Sequence, residues 1–263
     1  MRFLIFLYLA FASMNINAQQ KYPVKGVFKQ INLSGGGQRI DAPQILHRCF
    51  YGKYSLFVFW DRTTPEGTLL SWRVEEGPNP EDPFSSRFDL KSTDLHVFTW
   101  YNKRRVFWSF PSKIWIDEEW SRVKNDTLVD ALSDALVHHN APKTNGKLQG
   151  TWKLVSFMIP DTTDNHQQYP SIDTYKIYGK EHCLMMQGHS IYDIEGGMYA
   201  MLSNFKKVTD TEFYEGGVRC TVTFETKNKV IVEYTNKNNR QCIETWIRYS
   251  MPNPLAKLFS SFK

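Results

Sequence analysis

Along most of this chain polar and apolar residues alternate with a period of two. Val218, Cys220, Val222 and Phe224 fall on one face of an extended segment, and Arg219, Thr221, Thr223 and Glu225 on the other. That is the pattern of a strand with one side against a core and the other against water. Runs of this kind, bounded by turn residues, predict eight strands in the second half: Thr151 to Met158, Ile172 to Tyr178, His182 to Gln187, Met198 to Phe205, Glu212 to Tyr214, Val218 to Glu225, Val230 to Thr235 and Gln241 to Tyr249. Eight more are predicted upstream: Val27 to Leu33, Ile45 to Tyr51, Tyr54 to Trp60, Thr68 to Val74, Phe84 to Leu90, Leu95 to Tyr101, Arg105 to Phe110 and Ile114 to Val123. Gly35-Gly36-Gly37, Gly52-Lys53, Asn102-Lys103 and Pro111-Ser112 punctuate them, and Gly77-Pro78-Asn79-Pro80 marks a long loop.

One segment has a different period. Leu128, Leu132 and Leu136 recur at helical spacing beneath an Asp126 or Thr127 cap, which predicts a helix. Its place after the last upstream strand would let it plug those strands' open side or pack between two domains.

The two sets of strands share landmarks. Gly26-x-Phe28-Lys29 matches Gly150-x-Trp152-Lys153, Tyr51-Gly52-Lys53 matches Tyr178-Gly179-Lys180, and Glu118-x-Trp120-x-Arg122 matches Glu244-x-Trp246-x-Arg248. The offsets are 124, 127 and 126 positions, too long for a solenoid unit, so each copy should be a domain with its own core. Eight strands joined by short turns are most economically an antiparallel up-and-down barrel, because closure removes exposed edges. The fold class expected is therefore all-β, with two tandem eight-stranded barrels joined by a short helix: residues 22–124, a helix and linker at 125–147, a second barrel at 148–250 and a tail at 251–263.

A first-strand Gly-x-Trp with an Arg two residues after a Trp on the last strand resembles the lipocalins and wider calycin group, above all the lipocalin-like families exported by Gram-negative gut bacteria. The resemblance covers the second copy better than the first, where Phe28 stands in the tryptophan position. It implies that Trp152 sits at the closed end of a barrel with Arg248 lying across it; the resemblance is one of fold, and fold does not fix function.

The opening of the chain bears on compartment. Arg2, an apolar run from Phe3 to Phe11 and the stretch ending Ile16-Asn17-Ala18-Gln19 have the layout of a secretory signal cleaved after Ala18. The run is too short for a membrane span, and no later window approaches the roughly 20 apolar residues of a transmembrane helix. With no cysteine at the cleavage site, the expectation is an exported periplasmic or secreted protein without a lipid anchor.

The net charge of +5 comes from basic residues interleaved with acids, which argues against a nucleic-acid partner. Four cysteines permit disulfides in an exported chain, yet Cys183, Cys220 and Cys242 fall on the third, sixth and eighth strands of the second copy. In a meander barrel no two of these are neighbours, so no bridge is expected.

Candidate chemistry is sparse. Glu244, Trp246 and Arg248 share one side of the last strand. On the barrel interior, Arg248 would bind a ligand carboxylate, as in similar fatty-acid-binding barrels; the plainer reading has it capping Trp152 and pairing with Glu244. Met185, Met186, Met198 and Met201 suit an adaptable apolar pocket or fill gaps. The ligand-site expectation is Glu244, Trp246, Arg248, Met185, Met201, Val222 and Phe224, with Gly150, Trp152 and Arg248 as the structural motif.

Trp60, Trp72, Trp100, Trp108, Trp115 and Trp120 crowd the first copy. Exposed, they would form a glycan platform; in strands they more often serve the core. His138-His139 lacks further ligands at metal spacing and reads as a solvated helix end, so no metal is expected. With no catalytic motif and no phosphate loop, neither a cofactor nor an activity is assigned. The basic, weakly amphipathic segment from Pro254 reads as a membrane-surface contact, a frayed tail or a short helix over a barrel end. The expectation is a non-catalytic binding protein for a small apolar or amphipathic molecule; the rivals are a protein-interaction module with filled barrels and a glycan-binding module.

Overall fold

A computed structural model describes residues 26–40, 45–51, 54–76, 98–101, 105–111, 115–142, 147–160, 173–188, 198–252 and 255–262. The signal segment, the strand expected at Phe84 to Leu90 and the Gly77 to Pro80 loop lie outside them. The chain divides into two compact units, one of residues 1–57 and 75–124, the other of residues 58–74 and 125–263.

Upstream, the strands are β1 (Gly26–Gly35), β2 (Gln38–Arg39), β3 (Ile45–Tyr51), β4 (Tyr54–Thr63), β5 (Thr68–Glu76), β6 (Phe98–Tyr101), β7 (Arg105–Pro111) and β8 (Trp115–Arg122). Within the first unit, β1 pairs antiparallel with β2, β3 and β8, and β8 continues through β7 to β6. First and last strands are thus neighbours, with Phe28 opposite Arg122. Among the described residues this sheet does not close.

Downstream come β9 (Gly150–Met158), β10 (Asp173–Tyr178), β11 (His182–Gly188), β12 (Met198–Lys207), β13 (Glu212–Glu215), β14 (Val218–Thr226), β15 (Lys229–Thr235) and β16 (Gln241–Arg248). Each pairs antiparallel with the next, and β16 returns to β9 with Arg248 opposite Trp152. The result is a closed eight-stranded antiparallel barrel. Cys220 and Val222 are buried while Arg219, Thr221 and Thr223 are exposed, as the alternation on β14 requires.

One strand from upstream joins this unit. β13 has four residues and meets β12 only at Phe205, Lys206 and Lys207. The free N-terminal part of β12, Met198 to Leu202, pairs instead with Thr68 to Trp72 of β5. Two glycines allow this close approach: a Cβ on Gly67 would strike the Leu202 carbonyl, and one on Gly216 the Glu66 carbonyl. The hairpin tip therefore contributes to the second unit, whereas the sequence pattern places it wholly with the first set of strands.

The outer side of β10 and β11 is covered. Helix α1 (Thr127–Val137) is capped by Asp126, whose side chain accepts from the Leu128 and Val129 amides at 3.1 and 3.2 Å. Val129, Leu132, Ala135 and Leu136 are buried as it packs on β10, β11 and helix α2 (Leu255–Ser260). This packing lies within the second unit, whereas the sequence also allowed a plug on the open side of the upstream strands. Leu255, Leu258, Phe259 and Phe262 are also buried, so the C-terminal segment is a packed helix instead of a frayed tail, and its apolar side is not free for a membrane surface. Trp72 stacks on Phe259 with ring centres 5.0 Å apart.

Asp134 ties the helix to the barrel. Its carboxylate accepts from the Lys180, Glu181 and His182 amides at the β10–β11 turn, with the closest contact at 2.8 Å. Burial opposes its charge, but these amide donors prevail and hold its pKa below the usual aspartate value. His139 is buried, contrary to the solvated reading; Nδ1–H donates to the Leu136 carbonyl and the ring packs on Phe259.

Candidate functional site

The barrel end that carries Gly150 is sealed by the motif noted in the sequence. Trp152 is fully buried, its indole N–H donating to the Leu148 carbonyl at 2.6 Å. The Arg248 guanidinium carbon lies 3.9 Å from the Trp152 ring centre, and its two terminal nitrogens donate to the Gln149 and Lys147 carbonyls. Gly150 has φ of +117°, and a Cβ there would collide with Arg248. Arg248 therefore closes the barrel end, with its terminal donors directed at backbone carbonyls. Burial lowers its pKa to about 10, which leaves it charged at neutral pH.

The first unit has a parallel arrangement. Gly26 has φ of +104° and Arg122 lies 5.0 Å from the Phe28 ring centre. The indole of Trp120 donates to Glu118 at 3.1 Å, as that of Trp246 donates to Glu244 at 2.9 Å. Register places Arg48 opposite Phe28 and Lys176 opposite Trp152, so a buried cation occupies the same position in both. It also sets Phe50 opposite Gly26 and Tyr178 opposite Gly150. The counterpart of Tyr178 is thus Phe50, one residue before the Tyr51 suggested by sequence.

The middle of the second barrel holds a polar network. Lys176 Nζ lies 2.9 Å from Glu215 and 3.5 Å from Glu244, and 4.9 Å from the Trp246 ring centre. Tyr178 donates to Glu215 at 2.8 Å and Tyr234 to Glu244 at 2.9 Å. Because two strands, β11 and β12, separate β10 from β13 along the shorter way round the barrel wall, the Tyr178–Glu215 contact crosses the interior. Burial works against a charged Lys176, but Glu215 and Glu244 outweigh it and raise its pKa well above the ordinary lysine value. The two carboxylates share four donor groups, the Lys176 ammonium, the Tyr178 and Tyr234 hydroxyls and the Trp246 indole, so the network is internally paired.

At the sealed end of the barrel, beside Leu148, Gln149 and Gly179, is a cavity of about 220 Å³. Leu148, Phe205, Phe213, Val222 and Phe224 form its apolar lining, and Lys147, Lys180 and Lys207 stand at its rim. A larger cleft of about 1250 Å³ lies beside the Thr64–Glu66 tip and the Asn236–Asn239 turn, where Met201 and Tyr234 reach it.

The expected site residues are thus distributed. Val222 and Phe224 line the closed-end cavity, Met201 reaches the cleft, Glu244 and Trp246 belong to the network, and Arg248 seals the end. Met185 is half-buried opposite Met201 in the β11–β12 pair. Sequence reasoning missed Lys176, Tyr178, Glu215 and Tyr234. On β10 all residues from Thr174 to Tyr178 are buried, since α1 covers the outer face, so no alternation marked Lys176 as inward. Trp60, Trp72 and Trp120 are buried; the side chains of Trp100, Trp108 and Trp115 lie outside the described residues.

Among the described residues no group of three His, Cys, Asp or Glu side chains could hold a metal, and no helix is long and apolar enough to cross a membrane. No family model matches the chain, and no curated protein does.

Proposed function

We propose that this is an exported, non-enzymatic binding protein that holds a small apolar or amphipathic molecule in its second barrel. The signal-like opening of the chain supports export. The parallel between Gly26, Phe28, Arg122 and Gly150, Trp152, Arg248 supports a tandem arrangement, with residues 22–124 as a diverged lipocalin-like barrel.

The observation that carries the binding reading is the apolar cavity of about 220 Å³ between Leu148, Phe205, Phe213, Val222 and Phe224. Ligand pockets for drug-sized molecules run from about 300 Å³ upward. The occupant is therefore small, or only its apolar end enters. The network around Lys176 supplies no reacting group to this cavity, because its donors and acceptors engage one another.

Native mass spectrometry of the mature protein from its own host tests this reading, with Val222→Phe, which narrows the cavity, as comparison. A bound mass in the wild type that is depleted in the variant is expected. A wild type that flies at its sequence mass and takes up no apolar probe would favour the rival reading, a filled barrel that binds another protein. The filled middle of the barrel is what keeps that rival standing. Burial of Trp60, Trp72 and Trp120 weighs against a glycan platform.

A further inference from the structure

Given that the second barrel holds a small ligand, we infer that the closed-end cavity takes a monocarboxylate with a short apolar tail, its carboxylate at Lys147 and Lys180 and its tail between Phe205, Phe213 and Phe224. The inference rests on the binding reading above and adds the ligand's charge and orientation.

The rim is electrostatically uneven. Of its two acids, Asp210 is held by Lys207 at 2.5 Å and Glu212 by Arg219 at 2.8 Å. Among the described residues the ammonium groups of Lys147 and Lys180 meet no carboxylate. An anion placed between them gains charge-assisted contacts without displacing an existing partner. The inner wall excludes a polar head. Tyr178, Phe205 and Phe213 pack with ring centres 5.2, 5.9 and 5.5 Å apart, and the Tyr178 hydroxyl is turned away to Glu215. A ligand carboxylate driven inward would lose water and approach Glu215, so the charged end belongs at the lysines and the tail inside.

The test is calorimetry on the whole mature protein at low salt, with linear acids from butanoate to decanoate and the alcohols of matching length. The wild type is expected to prefer each fitting acid over its alcohol by roughly tenfold or more. The Lys147→Gln/Lys180→Gln double variant should erase that preference and leave alcohol affinity unchanged. Equal binding of acid and alcohol by the wild type would overturn the carboxylate inference and leave the binding barrel standing. A preference retained in the double variant would place the acid elsewhere and overturn it too. Binding of neither acid nor alcohol at any length would remove the binding reading itself.

Discussion

Arg248 lies over Trp152, its guanidinium carbon 3.9 Å from the ring centre, and the two residues face each other across the β9–β16 pair that closes the barrel. Their contact couples closure of the sheet to sealing of its end. Trp152→Ala should cost about 3–5 kcal/mol through lost burial. Arg248→Ala should cost less, since its carbonyl partners at Gln149 and Lys147 lie near solvent. In a double-mutant cycle the coupling should reach about 0.5–2 kcal/mol. Strictly additive losses in urea unfolding would mean that the stacking contributes nothing.

Gly150 should tolerate no side chain. With φ of +117° it occupies backbone space that L residues rarely enter, and Arg248 fills the position a Cβ would need. Gly150→Ala is expected to destabilise the protein by more than about 1 kcal/mol, the reverse of the usual gain when a compatible glycine becomes alanine. Arg248→Ala should recover part of that loss by clearing the space while leaving the φ penalty. Thermal unfolding of the single and double variants reads both quantities.

How much of this was legible depended on whether one face of a strand met water. The strands of the second barrel could be read because β14, β15 and β16 expose Arg219, Thr221, Glu233 and Ile247 between buried or half-buried neighbours. The meeting of first and last strands was legible through Gly150, Trp152 and Arg248, a local motif with a definite geometry. β10 hid its chemistry because α1 buries its outer face. The placement of Thr68 to Trp72 beside β12 was hidden for another reason. It depends on β13 being short, a long-range circumstance that no local pattern records.

That pairing makes Trp72 a support for residues far downstream. Its ring stacks on Phe259, which in turn meets His139. Trp72→Ala should cost about 3–5 kcal/mol, and combination with Phe259→Ala should cost less than the sum of the two. Losses that simply add would show that the stack is incidental.

The polar network predicts a pH signature. Lys176→Met leaves Glu215 and Glu244 in the interior without their cation, which should cost about 3–5 kcal/mol near neutral pH. Burial opposes the charge of Lys176, but Glu215 and Glu244 outweigh it and hold its folded-state pKa well above the ordinary lysine value. Stability from such a raised group is fully present below the unfolded lysine pKa of about 10.4 and is lost as pH rises through the folded value. The deficit of Lys176→Met against wild type should therefore be level from about pH 7 to about pH 9 and shrink only above the unfolded pKa of about 10.4. A deficit that already shrinks between about pH 7 and about pH 9 would show that the ammonium is not held by this network.

The four thiols test the strand order without any mutation. Cys183 on β11, Cys220 on β14 and Cys242 on β16 are each separated by at least one strand, and all four cysteines are free and buried. With strands about 4.8 Å apart, an intervening strand takes α-carbons past the roughly 7 Å limit for a bridge. Burial pushes the Cys49 and Cys220 thiols up to about 12 and the Cys183 thiol well above its ordinary value, so thiolate is scarce at neutral pH. Alkylation of the folded, unreduced protein should be slow and should follow local or global opening. After unfolding in denaturant without reductant, the reagent should titrate four thiols. Two titratable thiols would require a disulfide, and with it a pair of these strands brought next to each other in a way the closed barrel forbids.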